Sequence, residues 1–143
     1  MTSFTESIDI RVYYEDTDHG GVVYYANYLK FMERARSEFL RSAGLELDSI
    51  EADFGVMFAV TEAHVLYHSP ALFNDLLSVE SSLTTMRGAR ITFNQKIYRK
   101  SDRTLLTSGD IHLACITREG KAARIPAPVA HPLRNHLNPK EIS

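Results

Sequence analysis

Residues 8–43 read IDIRVYYEDTDHGGVVYYANYLKFMERARSEFLRSA, and a change of period inside this stretch decides the fold. Ile8, Ile10, Val12 and Tyr14 recur at every second position, the period of a strand with one face on a core. The strand runs into Glu15-Asp16-Thr17-Asp18-His19-Gly20-Gly21. Short polar side chains and two glycines that accept positive φ make this a shaped loop. From about Ala26 the spacing becomes helical, with Asn27 as the expected cap and Leu29, Met32, Phe39 and Ala43 along one stripe. Lys30, Arg34, Glu38 and Arg41 belong mostly to the other side, and Gly44 is placed to stop the helix. The reading is one amphipathic helix of about four or five turns, packed on a sheet.

After a short linker, four further strands are predicted near residues 55 to 67, 76 to 87, 89 to 100 and 104 to 117. Val79, Leu83 and Thr85 alternate in one, Ile91, Phe93 and Ile97 in the next, and Leu105, Ile111, Leu113 and Cys115 in the last, with Gly109 as an expected bulge or kink. Arg87-Gly88-Ala89 and Ser101-Asp102-Arg103 suit tight connections, so antiparallel pairing of these consecutive strands is expected. Pro126, Pro128 and Pro132 lack backbone donors, which predicts a non-helical tail or edge extension over 126–143. The fold class is α+β in a single domain over 1–143: a five-stranded antiparallel sheet wrapped around one long helix. With one helix to cover the sheet, a second copy of the chain is expected to mask the remaining edge or face.

Composition narrows the function classes. A chain of 143 residues with 44% hydrophobic content builds a core without metal or disulfide staples. The only cysteine, Cys115, has no partner for an intrachain disulfide, and its apolar surroundings predict a buried thiol suited to a reducing cytoplasm. No basic-then-apolar leader and no membrane-length apolar run are present. A net charge of -2 offers no general attraction to nucleic acid.

The strongest chemical signal is Tyr13 to Tyr25, set between strand and helix. A carboxylate in such a loop can reach across the turn to a ligand, and free N–H groups at the helix start can bind developing negative charge. Asp-x-Asp alone more often accepts backbone N–H bonds within its turn. A metal reading of Asp16, Asp18 and His19 lacks a second ligand cluster at familiar spacing, so no metal is expected. The other histidines are scattered, and neither a Gly-x-Ser-x-Gly elbow nor a phosphate-cradling glycine loop occurs. Tyr24, Tyr25 and Tyr28 either line a ligand tunnel or plug the helix–sheet interface; Tyr25, at the loop–helix junction, favours the first and Tyr28 the second. Glu33, Arg34 and Arg36 read as ordinary ion pairs.

Tyr14-Glu15-Asp16-Thr17-Asp18, Gly21-Val22-Val23-Tyr24, Asn27-Tyr28 and Glu33-Arg34-Ala35-Arg36 together resemble the acyl-CoA thioesterases associated with the Tol-Pal system, which group with 4-hydroxybenzoyl-CoA thioesterase. The likeness continues through Tyr67, Pro70-Ala71, Asn74-Asp75-Leu76-Leu77 and Arg124-Ile125-Pro126, nearly the whole chain. It implies a hotdog fold, dimers paired into tetramers, and active sites at subunit interfaces. By the same resemblance Asp18 is the catalytic carboxylate, nucleophile or general base, and the Tyr25 backbone N–H is the oxyanion donor. Gly21, Tyr24 and His19 contact substrate, and Arg90, Lys121 and Arg124 are candidates for the CoA phosphates. The implied substrate is an acyl-CoA, with an acyl carrier protein as a further partner and no cofactor, since coenzyme A is part of the substrate. Two positions depart from the family pattern: Asn74-Asp75, where many relatives carry two acids, and His19, where relatives carry alanine or proline. A non-catalytic acyl-ligand or carrier-binding module remains the alternative, while hydratase chemistry would ask for a histidine where the helix begins Ala26-Asn27-Tyr28.

Overall fold

The computed structural model describes residues 4–138. In chain order it contains β1 (Glu6–Arg11), a 3₁₀ turn (Tyr14–Asp16), α1 (Asn27–Ser42), α2 (Leu47–Phe54), β2 (Val56–Tyr67), β3 (Leu76–Arg87), β4 (Arg90–Arg99), β5 (Leu105–Thr117) and α3 (Ala127–Asn135). The strands form one antiparallel sheet in the order β1-β3-β4-β5-β2. The consecutive strands β3, β4 and β5 pair as their tight turns require; β2 does not join β3 but crosses to the far edge against β5.

α1 lies on the concave face of this sheet. Its buried residues are Tyr28, Phe31, Met32, Ala35, Phe39 and Leu40. The stripe is therefore wider than the spacing suggested and rotated from it: Leu29 is exposed and Ala43 only half-buried. Against α1 the strands present Leu77, Val79, Leu83, Ile91, Phe93, Ile97 and Ile111, with Phe39 meeting Phe93 edge-on at 5.1 Å between ring centres. The buried Gln95 bridges the two layers, its Nε2 donating to the Met32 carbonyl and to Ser81 Oγ at 2.9 Å each, while Arg36 Nη1 donates to its Oε1 at 3.0 Å. Arg36 thus hydrogen-bonds the core amide, while the charge of Glu33, one turn earlier on α1, still acts on it. Cys115 is buried, as its strand position implied.

Three expectations are corrected. The linker after Gly44 holds α2, which buries Ile50 and ends on Gly55 at φ 68. The proline-rich end is helical over 127–135, against the non-helical reading: Pro128 enters α3 in its first turn, where its missing N–H has no partner to lose, and Pro132 sits inside the helix. Burial of Val129, Ala130 and Leu133 holds α3 against that cost, so tertiary packing overrides propensity. Beyond α3 the edge extension is found: Leu137 bridges Leu83 of β3 and the Asn138 N–H donates to the Leu83 carbonyl at 2.8 Å, while 139–143 lie outside the described residues. Gly109 is no bulge; it sits in regular register between Val65 and Gln95, and a Cβ there would come within 3.1 Å of the His64 carbonyl and 3.5 Å of Met32 Cε. It is a close-approach glycine that lets β2 and α1 near β5. The register shifts occur instead at Val60/Glu62, Leu83/Thr85 and Ile97/Tyr98.

Candidate active site

The loop from Val12 to Ala26 is built on its own backbone bonds. Asp16 closes the 3₁₀ turn by accepting the Tyr13 N–H at 2.8 Å, and its carbonyl accepts the Tyr24 N–H at 3.0 Å. Asn27, expected as a helix cap, reaches back instead and donates Nδ2 to that same Asp16 carbonyl at 2.8 Å. Asp18 N–H donates to the Val22 carbonyl at 2.9 Å, and Gly21 turns the chain at φ 77. Asp18 is exposed, with Oδ1 accepting the Gly20 N–H at 2.8 Å and Oδ2 free of hydrogen bonds among the described residues. Asp16 therefore does the work of a turn acid, and Asp18 is oriented through one oxygen while the other stays open.

At the mouth of α1 the first turn is closed by i to i+3 bonds: Asn27 N–H to the Tyr24 carbonyl, Tyr28 N–H to Tyr25, Leu29 N–H to Ala26. Among the described residues no acceptor meets the Tyr25 N–H. It stands two residues before α1 begins, at the positive end of the helix dipole.

Asp18, His19, Tyr24, Tyr14, Glu15, Thr17 and Asn27 line one open cleft of about 510 Å³. Tyr25 faces an adjoining depression of about 270 Å³ with Val23, Tyr28, Tyr67, His68, Ser69 and Pro70. Tyr24 and Tyr25 separate the two, their ring centres 4.8 Å apart. The hydrogen bond with Tyr25 raises the Tyr24 phenol above its ordinary pKa, and burial raises those of Tyr28 and Tyr67, so all three remain neutral donors near pH 7. Tyr67 donates to the Tyr25 carbonyl at 3.4 Å, and its ring packs on Tyr25 and Tyr28. Residue type alone did not single out Tyr67 or the 68–70 segment, because they lie more than forty residues from Tyr25 in sequence and reach it only through the sheet.

The segment 70–75 lies against this loop. Val23 N–H donates to the Ala71 carbonyl at 2.8 Å, Phe73 N–H to the Gly21 carbonyl at 3.1 Å, and Ala71 N–H to Tyr28 Oη at 2.9 Å. Asn74 takes φ 70, a left-handed conformation that asparagine accepts more readily than most side chains. The three basic candidates are elsewhere. Arg11 pairs with Leu76 at the Asp18 end of the sheet, whereas Arg90 follows the β3–β4 hairpin at the other end, and Lys121 and Arg124 lie beyond the far end of β5. Twelve residues of β3 separate the two ends, on the order of 40 Å. Within one chain, then, Arg90, Lys121 and Arg124 are not brought to Asp18. Among the described residues no three His, Cys, Asp or Glu side chains gather to hold a metal.

A family model described as the thioesterase-like superfamily matches residues 12–133. The chain belongs to that superfamily. This thioesterase-like chain is 41% identical over 107 residues to the acyl-CoA thioester hydrolase YbgC of Escherichia coli, covering 75% of this chain and 78% of that protein. Among solved structures, a probable thioesterase from Bartonella henselae superposes with a TM-score of 0.81 at 34% identity, over 85% of this chain and 99% of that one. At 17% identity the likeness to 4-hydroxybenzoyl-CoA thioesterase speaks for the fold alone; the TM-score is 0.85 over 92% of this chain and 99% of that one. The five-stranded sheet around α1 is the hotdog fold, and the chain is a thioester hydrolase. No helix among the described residues is long and apolar enough to cross a membrane.

Proposed function

We propose that the thioester substrate is an acyl-CoA, hydrolysed to the free acid and CoA with Asp18 as the catalytic carboxylate and the Tyr25 backbone N–H as oxyanion donor. The observation that carries this reading is the pairing of a carboxylate with one oxygen held by Gly20 and the other open, with an unsatisfied N–H at the mouth of α1. The N–H and the helix dipole stabilise negative charge developing on the thioester oxygen. Asp18 then either attacks the carbonyl carbon, expelling the CoA thiolate and leaving a mixed anhydride that water opens, or removes a proton from the water that attacks. Both routes end in carboxylic acid and thiol. His19 and Tyr24 line the cleft beside Asp18, Gly21 shapes the turn behind it without lining either depression, and Tyr24 and Tyr25 divide the ligand between the two. No cofactor is required, since coenzyme A arrives as part of the substrate; an acyl carrier protein would present the same pantetheine arm.

The site is completed by a second copy in the same reading. β2 is an edge strand of 12 residues with Val60, Leu66 and Tyr67 about half exposed, the kind of edge that another strand covers. If two β2 strands pair antiparallel about a two-fold axis, the partner's Val56 end lies beside Tyr67, and β5 pairing carries the partner's Thr117 end with it. The partner's Lys121 and Arg124 then approach the Tyr25 side, where CoA phosphates leave the pocket. Pairing of such dimers into tetramers and a cytoplasmic setting, where Cys115 stays reduced, belong to the same proposal. Thiol release measured across short, long and aromatic acyl-CoAs tests it: hydrolysis of at least one supports it, and tight binding without release from any would make the protein an acyl-binding module.

A further inference from the structure

Arg99, at the end of β4, fans its guanidinium over three acceptors: Nε to Asp75 Oδ2 at 3.0 Å, Nη1 to Asp102 Oδ2 at 3.1 Å and Nη2 to the Pro70 carbonyl at 3.0 Å. Asp75 Oδ2 in turn accepts the Leu72 N–H at 2.9 Å. Arg99 and Asp75 thus fasten both ends of the segment 70–75 to the sheet, and both side chains are only about one-fifth exposed (19% each). This is the segment on which the catalytic loop rests. Leu72 bridges Val22, Ala71 receives the Val23 N–H, and Phe73 donates to Gly21. Gly21, Val22 and Val23 are three of the six residues between Asp18 and Tyr25, and the Val22 carbonyl also holds the Asp18 N–H. The separation of carboxylate from oxyanion donor is therefore set by a rail whose position Arg99 fixes from behind. Arg99 lines neither of the two depressions around Asp18 and Tyr25.

We propose that Arg99 is a positioning residue for hydrolysis, acting through Asp75 and the 70–75 segment on the Asp18–Tyr25 spacing. The proposal rests on the assignment of those two groups. A guanidinium suits the task because its fixed fork meets two acids and a carbonyl in different directions at once, which a lysine ammonium on a flexible stem does not reproduce. Loss of the fork frees the rail to shift while the apolar core under it is untouched.

The test measures kcat and KM of full-length Arg99→Ala, shown by circular dichroism and gel filtration to be folded and in the parent's oligomeric state, well below its melting temperature. A displaced rail lowers kcat by about ten- to a hundredfold, the scale of a small misplacement of reacting groups. KM should stay within about threefold, because the residues that would contact substrate are retained. Added ethylguanidinium, filling the vacated site, restores part of the lost kcat, which a general loss of stability would not permit. If Arg99→Ala does not fold, Asp75→Ala, which removes the Leu72 acceptor and keeps the other two, is judged by the same split. A kcat within twofold of the parent, with only the melting temperature lowered, overturns the proposal. Asp18→Asn is assayed alongside: if it hydrolyses as fast as the parent, the Asp18 assignment fails by itself, whereas an inactive Asp18→Asn beside a fully active Arg99→Ala refutes the role of Arg99 alone.

Discussion

Replacing Gln95 by methionine removes the polar bolt between α1 and the sheet at almost constant volume. The cavity cost is small, and what remains is the loss of three hydrogen bonds: to the Met32 carbonyl, to Ser81 Oγ and from Arg36. They are not equivalent. Arg36 is half-buried and can turn toward water, and the Met32 carbonyl keeps its place in the helix ladder. Ser81 is 1% exposed and has no such recourse. A buried hydroxyl deprived of its partner costs about 1–3 kcal/mol, and re-solvating the guanidinium adds about 1 kcal/mol, partly offset by burying a more apolar side chain. The expected loss is about 2–3 kcal/mol, or roughly 5–10 °C in melting temperature for a chain of this length. Urea denaturation should show a lower midpoint at unchanged slope. Because the cost is assigned to an orphaned hydroxyl, adding Ser81→Ala should recover about 1 kcal/mol, since removing both partners of a buried bond is cheaper than removing one. A Gln95→Met protein within 0.5 kcal/mol of the parent, or a double variant weaker than the single, would refute the assignment.

Tyr28→Phe orphans the N–H of Ala71, a fully buried residue, and should cost about 1–2 kcal/mol in thermal or urea unfolding. Burial holds the Cys115 thiol above its ordinary pKa, so at pH 8 it carries less thiolate than an exposed cysteine. Ellman's reagent should therefore react with it slowly in the native protein and completely in denaturant. Thr104 N–H and Arg99 hold the Asp102 carboxyl below its ordinary value, so its contribution is present above the unfolded value of 3.8 and fades as pH falls through the folded one. Asp102→Asn should accordingly destabilise the protein at pH 7 and narrow its difference from the parent at more acid pH.

The strand-to-helix switch and β3 to β5 were legible because their alternation is local, and the boundaries of all four later strands, β2 included, agree with the expected ones within about a residue or two. What the sequence did not carry depended on tertiary partners. α3 forms over one internal proline, Pro132, because Val129, Ala130 and Leu133 find the core, which no local rule encodes. α2 spans only eight residues, too short for a periodic signal to stand out from a linker. Gly109 looked like a bulge because a glycine in a strand has two meanings, and only the approach of His64 and Met32 chooses between them. At the site, the loop from Asp16 to Tyr25 was legible as a shaped turn at a helix mouth. Arg99 was not, and Tyr67 and Asp75 entered only as positions of the resemblance without a role, since each reaches the loop through pairings between residues far apart in the chain.

The central claim is that Asp18 is the carboxylate that carries out hydrolysis. The most direct measurement is the rate of thiol release by Asp18→Asn from the best acyl-CoA substrate, with folding and oligomeric state matched to the parent. Asparagine keeps the Gly20 N–H contact and removes the charge, the nucleophile and the base together. A loss of at least about a hundredfold in kcat, the usual scale for a positioned catalytic group, is predicted; a variant as fast as the parent would contradict the account.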